Sequence, residues 1–233
     1  MIPTIQAVVF DLDDTLYAER DYVRGGYRAV GAYLRKALGR DEAFEDWLWQ
    51  RFQAGQASGA FDALNVYFGL GLDAGAIAAL VGVYRNHSPD IRPRPGAVEV
   101  LRRLRRRCRL GLLSDGFLPA QRLKLDALGL APMLDAVVMT EEMGRQCWKP
   151  APDGFVAIMA MLGSARDACA YVADNPAKDF IAPNRLGWRS VQLLCPLQIH
   201  SANAAPKGGQ PQVVIASLEE LEAVLFGKEG LRS

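Results

Sequence analysis

Ala7-Val8-Val9-Phe10-Asp11-Leu12-Asp13-Asp14-Thr15-Leu16 is an apolar run that ends abruptly in three carboxylates. Consecutive Val and Phe without alternation read as a strand buried on both faces, as in a parallel sheet. The acids then fall at its carboxyl end, where open α/β sheets bind ligands. Acids placed there against a hydrophobic strand suit cation binding or proton chemistry, although alone the same stretch would also serve as a solvated acidic turn.

Working outward, the pattern turns helical. Residues 22–38 carry Val23, Tyr27, Val30, Leu34 and Leu38 at spacings of three and four, and Gly39 is a stop signal. Residues 41–53, 61–68 and 73–86 add three more helical patterns, so residues 18–91 are expected to form an all-helical cap inserted after the first strand. The segment 88–96, with three prolines and a glycine, is a connector and hinge candidate. Beyond it strand and helix patterns alternate. Strands are expected at 110–113, 136–139, 170–173, 190–194 and 213–215, and helices at 97–107, 120–128, 153–162, near 183 where Pro183 interrupts, and after Ser217. Such alternation predicts a doubly wound, parallel-sheet, Rossmann-like α/β core built from residues 1–17 and 92–233. Residues 196–212, rich in Pro, Gly and Ala, read as a surface loop, and the tail after Gly227 as frayed.

Composition bounds the function. Half of the 233 residues are apolar and 23% are charged, the balance of a folded globular protein. The 27 Lys and Arg nearly cancel the 26 Asp and Glu, so no global field recruits nucleic acid or an anionic membrane. Cys108, Cys147, Cys169 and Cys195 are widely spaced and lack zinc-ligand spacing, as expected of reduced thiols. There is no basic-then-apolar leader before the acids at residue 11 and no run long enough to span a bilayer, so a cytoplasmic location is expected.

Four strand ends or following loops carry reactive groups: Asp11 and Asp13; Ser114; Lys149; Asp174 and Asp179. Parallel adjacent strands would bring all four to one crevice. In this order, with the helical insert after the first strand, the motifs resemble the haloacid dehalogenase superfamily. They read Asp11-Leu12-Asp13-Asp14-Thr15, Ser114, Trp148-Lys149-Pro150 and Asp174-Asn175-Pro176-Ala177-Lys178-Asp179. Ala173 stands where that family often has Gly. The resemblance implies a Mg²⁺-dependent phosphatase acting on a small phosphate ester, with Asp11 as nucleophile and Asp13 as general acid and base. It assigns the metal to Asp11, the Asp13 backbone carbonyl and Asp174, with Asp179 behind them orienting water or Lys149. It gives Ser114 and Lys149 the phosphoryl oxygens, with Thr15, Asp115 and Gly116 close by. Members that displace halide from carbon lack the second acid, so Asp13 points to phosphoester chemistry.

Arg20, Tyr22 and Arg24, just inside the insert, are candidates for contact with the substrate's leaving group, and an Arg there could pair with a second anion. Lys124 is expected to be exposed on the helix after Ser114, and Asp14 to be a turn residue. Trp47, Trp49 and Phe52 are expected to fill the cap core, and Arg102 to Arg109 to form a solvated basic face. A phosphomutase would share every core residue, and a non-catalytic binding protein would keep the fold without turnover. The expected assembly is a monomer or homodimer.

Overall fold

The computed structural model describes residues 4–227, so the expected fraying after Gly227 lies outside the described residues. Six parallel strands form one sheet: β1 (Ala7–Phe10), β2 (Arg109–Ser114), β3 (Ala136–Met139), β4 (Cys169–Ala173), β5 (Arg189–Leu193) and β6 (Val213–Ile215), in the order β3-β2-β1-β4-β5-β6.

The unbroken apolar character of β1 is explained by its two faces. Val8 and Phe10 enter the core cluster beneath helices α5 (Ala97–Leu104), α6 (Ala120–Leu128) and α9 (Leu221–Phe226). Ala7 and Val9 enter the opposite cluster, under α7 (Asp153–Leu162) and α8 (Ile181–Leu186). All four are completely buried, and a side chain the size of Phe10 contributes roughly 2–3 kcal/mol by that burial. Strand β4 divides likewise, with Ala170 and Val172 on one face and Tyr171 and Ala173 on the other. On β2, Gly111 lets α7 approach closely: a Cβ there would lie 2.8 Å from Ile158 Cδ1. The chain moves outward from β1 in both directions, so the topological switch falls between β1 and β4 and opens a crevice at their carboxyl ends.

Helices α1 (Glu19–Leu38), α2 (Phe44–Gln53), α3 (Ala60–Phe68) and α4 (Ala74–Asn86) stand between β1 and α5 and enclose their own apolar cluster around Tyr27, Val30, Leu34, Phe44, Leu48 and Leu64. The chain leaves and re-enters the sheet layer side by side, through the Tyr17–Pro93 bridge and the Arg94 amide bonded to the Leu16 carbonyl at 2.8 Å. Pro183 does not interrupt α8. It occupies the first turn, where a missing N–H removes no intrahelical bond.

Two irregular segments do more than expected. Asp14 lies in a turn, as expected, and is also buried. It is 1% exposed at φ 52°, and its carboxylate accepts the Glu19 amide at 2.9 Å and the Ile199 amide at 2.6 Å. Its carbonyl accepts Arg94 and Gln198, each at 2.8 Å. Residues 196–212 are accordingly not a plain surface loop. Gln198 and Ile199 fold inward onto Asp14, and Ile199 also packs against the helical cluster.

Asp14 therefore ties β1, the start of α1, the proline-rich connector and the loop after β5. Asp14→Ala strands the Glu19 and Ile199 amides and removes the carboxylate oxygen 3.4 Å from Arg94, whose bond to the backbone carbonyl remains, and should lower the unfolding free energy by about 2–4 kcal/mol, measured by urea denaturation. A loss near zero would show that these bonds are replaceable.

Candidate active site

Register sets the geometry of the crevice. Phe10 pairs with Leu112 on one side and Val172 on the other, so Ser114 and Asp174 each lie one residue beyond the level of Asp11. The Asp11 amide donates to the Val172 carbonyl at 2.9 Å, and the next turn closes through the Leu16 amide on the Leu12 carbonyl. Asp11, Asp13, Asp115, Gly116 and Asp174 line a cleft of about 260 Å³ between the sheet ends and the helical block.

Lys149, following β3, is the buried centre. Its Nζ lies 2.6 Å from Asp11 Oδ1, 2.8 Å from Asp179 Oδ1 and 3.0 Å from the Tyr171 hydroxyl. Burial opposes its charge, but Asp11 and Asp179 outweigh that and hold it protonated well above the ordinary lysine range. Asp179 also accepts the Asn175 amide at 2.9 Å and is completely buried, so its carboxylate is engaged with Lys149 and the loop after β4. Asp11 is pushed up to about 7 by burial, with Lys149 opposing the rise. Asp174 reaches about 9, through burial and then the charges of Asp11 and Asp179, and its Oδ2 is buried without a hydrogen-bond partner among the described residues.

Asp13, two residues from Asp11, sits in the opposite electrostatic setting. Its Oδ1 is 2.7 Å from Lys124 Nζ and accepts the Tyr17 hydroxyl, while Oδ2 accepts Gln121 Nε2 at 2.7 Å. Burial would raise it, but Lys124 and these hydrogen bonds prevail and hold it below the ordinary carboxylate range. Lys124 is thus not exposed; it is 5% accessible, under the Tyr22 ring at 4.2 Å. The signal was present in the sequence: Gln121 and Lys124 share the buried stripe of α6 with Leu125 and Leu128, and polar residues on a core-facing stripe ask for a partner.

The other candidates separate. Ser114 is 1% exposed, and its Oγ accepts Gln121 Nε2 at 2.7 Å, so it joins the Asp13 network from behind the cleft wall. Gly116 (φ 136°) makes room for that glutamine, since a Cβ would meet its side chain at 2.8 Å. The Asp115 carboxylate turns inward to Thr140 Oγ1, the Lys149 amide and Lys178 Nζ. As an anion it would repel a phosphoryl oxygen, so its side chain supports the two lysines instead of gripping substrate. Thr15 is fully buried, away from the cleft walls, and its Oγ1 has no partner among the described residues; the turn after Asp13 carries it into the interior.

Arg20 and Arg24 do not reach the cleft either. Helix α1 begins at Glu19, so Glu19 and Tyr22 face the crevice, whereas Arg20 and Arg24 share the adjoining stripe and lie over Trp49, each 5.3 Å from its ring centre. The helical block instead contributes Glu19, Tyr22, Tyr84 and Arg85 to the cleft, and the sheet layer adds Phe117, Trp148, Lys178 and His200. Arg85 stacks on Phe117 at 3.5 Å, a contact between the two layers. Trp148 and Lys178 lie within the quoted motifs and Tyr22 is an expected contact, whereas the others carry no local motif and the fold assembles them from distant segments.

Comparison with known proteins gives the chain a family. Residues 5–187 match the haloacid dehalogenase-like hydrolase family. Glyceraldehyde 3-phosphate phosphatase from Methanocaldococcus jannaschii is 31% identical over 199 residues, covering 82% of this chain and 85% of that protein. Pyrimidine 5'-nucleotidase YjjG from Escherichia coli is 27% identical over 234 residues, covering 94% of this chain and 96% of that protein. The magnesium-bound HAD-hydrolase YfnB from Bacillus subtilis shares the fold with a TM-score of 0.68 at 20% identity, over 96% of this chain and all of that one. The chain belongs to the haloacid dehalogenase-like hydrolases, in the branch that holds the phosphatases.

Proposed function

We propose that the protein is a divalent-metal-dependent phosphatase that hydrolyses a small phosphorylated metabolite through a phosphorylated Asp11. The observation that carries this reading is the pair of carboxylates two residues apart in opposite settings, Asp11 beside Lys149 and Asp13 held by Lys124, Gln121 and Tyr17. One acid is placed to attack and the other to move a proton. Relatives named as phosphatases of glyceraldehyde 3-phosphate and of pyrimidine nucleotides support it.

The donor set fits a hard cation. Asp11 and Asp174 crowd carboxyl oxygens into a buried space, and Asp174 Oδ2 is left without a hydrogen-bond partner among the described residues. Among the described residues no three His, Cys, Asp or Glu side chains gather into a metal-holding group. Two carboxylates, the Asp13 backbone carbonyl, water and a substrate oxygen match Mg²⁺, which keeps several waters. When bound, Mg²⁺ would neutralise the phosphoryl oxygens and lessen their repulsion of an incoming carboxylate.

The side chains divide the rest. Asp11 attacks phosphorus as the ester P–O bond breaks, and Lys149 offsets the gathering negative charge. Asp13 hands a proton to the departing alkoxide oxygen. The arriving phosphate raises the proton affinity of Asp13, which Lys124 lowers at rest. Asp13 then takes a proton from the water that attacks the aspartyl-phosphate, releasing inorganic phosphate and regenerating Asp11. The helical block covers the cleft and acts as the cap that screens leaving groups.

Phosphate release should depend on Mg²⁺, and Asp11→Asn should lower kcat at least about 10³-fold. Asp13→Asn should slow alkyl phosphates at least about tenfold more than p-nitrophenyl phosphate, whose leaving group departs without a proton. Absence of metal-dependent release from any ester, or an isomerised sugar phosphate as the product, would overturn the proposal.

The raised carboxyls also give a pH signature. A group whose pKa is higher folded than unfolded stabilises the fold below the unfolded value and loses that contribution as pH climbs through the folded value. For Asp11 and Asp174 the loss runs from ordinary carboxylate pH through about 7 and about 9. Asp13 and Asp115 shift downward and stay ionised over that window. The Tm of metal-free protein should therefore fall between about pH 5 and about pH 9, and the rise on adding Mg²⁺ should be larger at about pH 8 than at about pH 5, as scanning calorimetry would show.

A further inference from the structure

A second pocket of about 390 Å³, open to solvent at its rim, lies between the helical block and the loop after β5, and Glu19, Tyr84 and His200 line both it and the catalytic cleft. Its volume falls within the roughly 300–1,000 Å³ range of small-molecule sites. Its walls are chemically unlike the cleft. Tyr27, Phe52, Phe61 and Tyr84 surround it with rings, Tyr27 standing 6.5 Å from Phe52 and 6.4 Å from Phe61 in edge-on arrangements, and Phe61 5.9 Å from Tyr84. Val81 adds an aliphatic wall, and Ile199 of the loop after β5 is a wall residue too.

Charge decides what can enter. Among the described residues neither lysine nor arginine lines this pocket, and its carboxylic acids are Glu19 and Asp62. The cleft next to it, by contrast, holds Lys124, Lys178 and Arg85. A second phosphate or a carboxylate placed there would meet Glu19 and Asp62 and gain no lysine or arginine partner from the described residues, a poor setting for an anion. An uncharged planar ring would meet ring edges and faces of the kind that favour aromatic contact. Glu19, Tyr84 and His200 at the junction supply hydrogen-bonding groups for a polar linker between ring and phosphate.

We propose that this chamber is the leaving-group subsite, taking an uncharged planar ring joined to the reacting phosphate through a short hydroxylated linker, the construction of a nucleoside monophosphate. The inference rests on the phosphatase reading and narrows it. Esters with a second anionic group are disfavoured, and ring-free sugar phosphates occupy the cleft while leaving the chamber unused.

The test compares uridine 5'-monophosphate with ribose 5-phosphate, which differ by the ring alone. Wild type should favour the nucleotide in kcat/KM by at least about tenfold. Val81→Trp and Ile77→Trp, which fill the chamber from α4, should cut that ratio at least about tenfold, chiefly through KM. Circular dichroism and thermal unfolding verify that each variant is folded; Val81 is half-buried and outside the packed cluster of the block, so it is the gentler change. Equal or better turnover of ribose 5-phosphate by wild type, or an unchanged ratio in both folded variants, would overturn the subsite. Calorimetric titration of Asp11→Asn protein with the same two esters separates the two readings. Tighter binding of the nucleotide that Val81→Trp abolishes supports the subsite even if no ester is hydrolysed, whereas absence of hydrolysis by wild type defeats the phosphatase reading.

Discussion

The Lys149 ammonium, enclosed by Asp11, Asp179 and the Tyr171 hydroxyl, is the interaction on which the catalytic end of the sheet depends. It joins the loop after β3 to the ends of β1 and β4 in a region from which water is excluded. Buried ion pairs of this kind add little net stability against an apolar substitute, but removing one partner leaves an uncompensated charge that costs about 3–5 kcal/mol. Its worth is positional. It fixes Asp11, the carboxylate proposed to attack, and beside it Asp174 Oδ2 has no hydrogen-bond partner among the described residues, where a cation would gain most.

A second constraint works one turn later. Asp13 and Asp14 are adjacent, yet one faces the cleft and is held by α6, while the other is buried and bound to Glu19, Arg94, Gln198 and Ile199. The left-handed conformation at Asp14 makes this division possible, because it reverses the chain between the two acids. The same residue that shapes the catalytic turn thereby also anchors the start of α1 and the loop that carries His200 to the cleft. Catalytic geometry and the placement of the helical block share one set of buried hydrogen bonds.

Much of this was legible in advance. The apolar run of β1 ending in acids suited a crevice at the strand end or a solvated turn, and the strand-helix alternation after residue 92, which placed the remaining motifs at strand ends, favoured the crevice. The polar residues that tune those acids were not legible in the same way. Lys124 reads as an ordinary helix lysine until α6 is docked with that face against Asp13. Arg20 and Arg24 read as cleft residues until the true start of α1 at Glu19 rotates them onto Trp49. A shift of a few residues in a helix boundary is enough, since each residue turns the face by about 100°.

The sequence by itself determined the order of the elements, the two-faced burial of β1, and the identities of Asp11, Asp13, Lys149 and Asp174, because apolar periodicity and motif spacing are local properties of the chain. Only the tertiary structure decided which groups meet. Asp14 became a hub, Gln198 and Ile199 were drawn onto it, Asp115 turned to the lysines, and an aromatic pocket opened beside the cleft. These depend on contacts between segments up to 185 residues apart, whose pairing follows from sheet register and helix docking rather than from any short-range pattern.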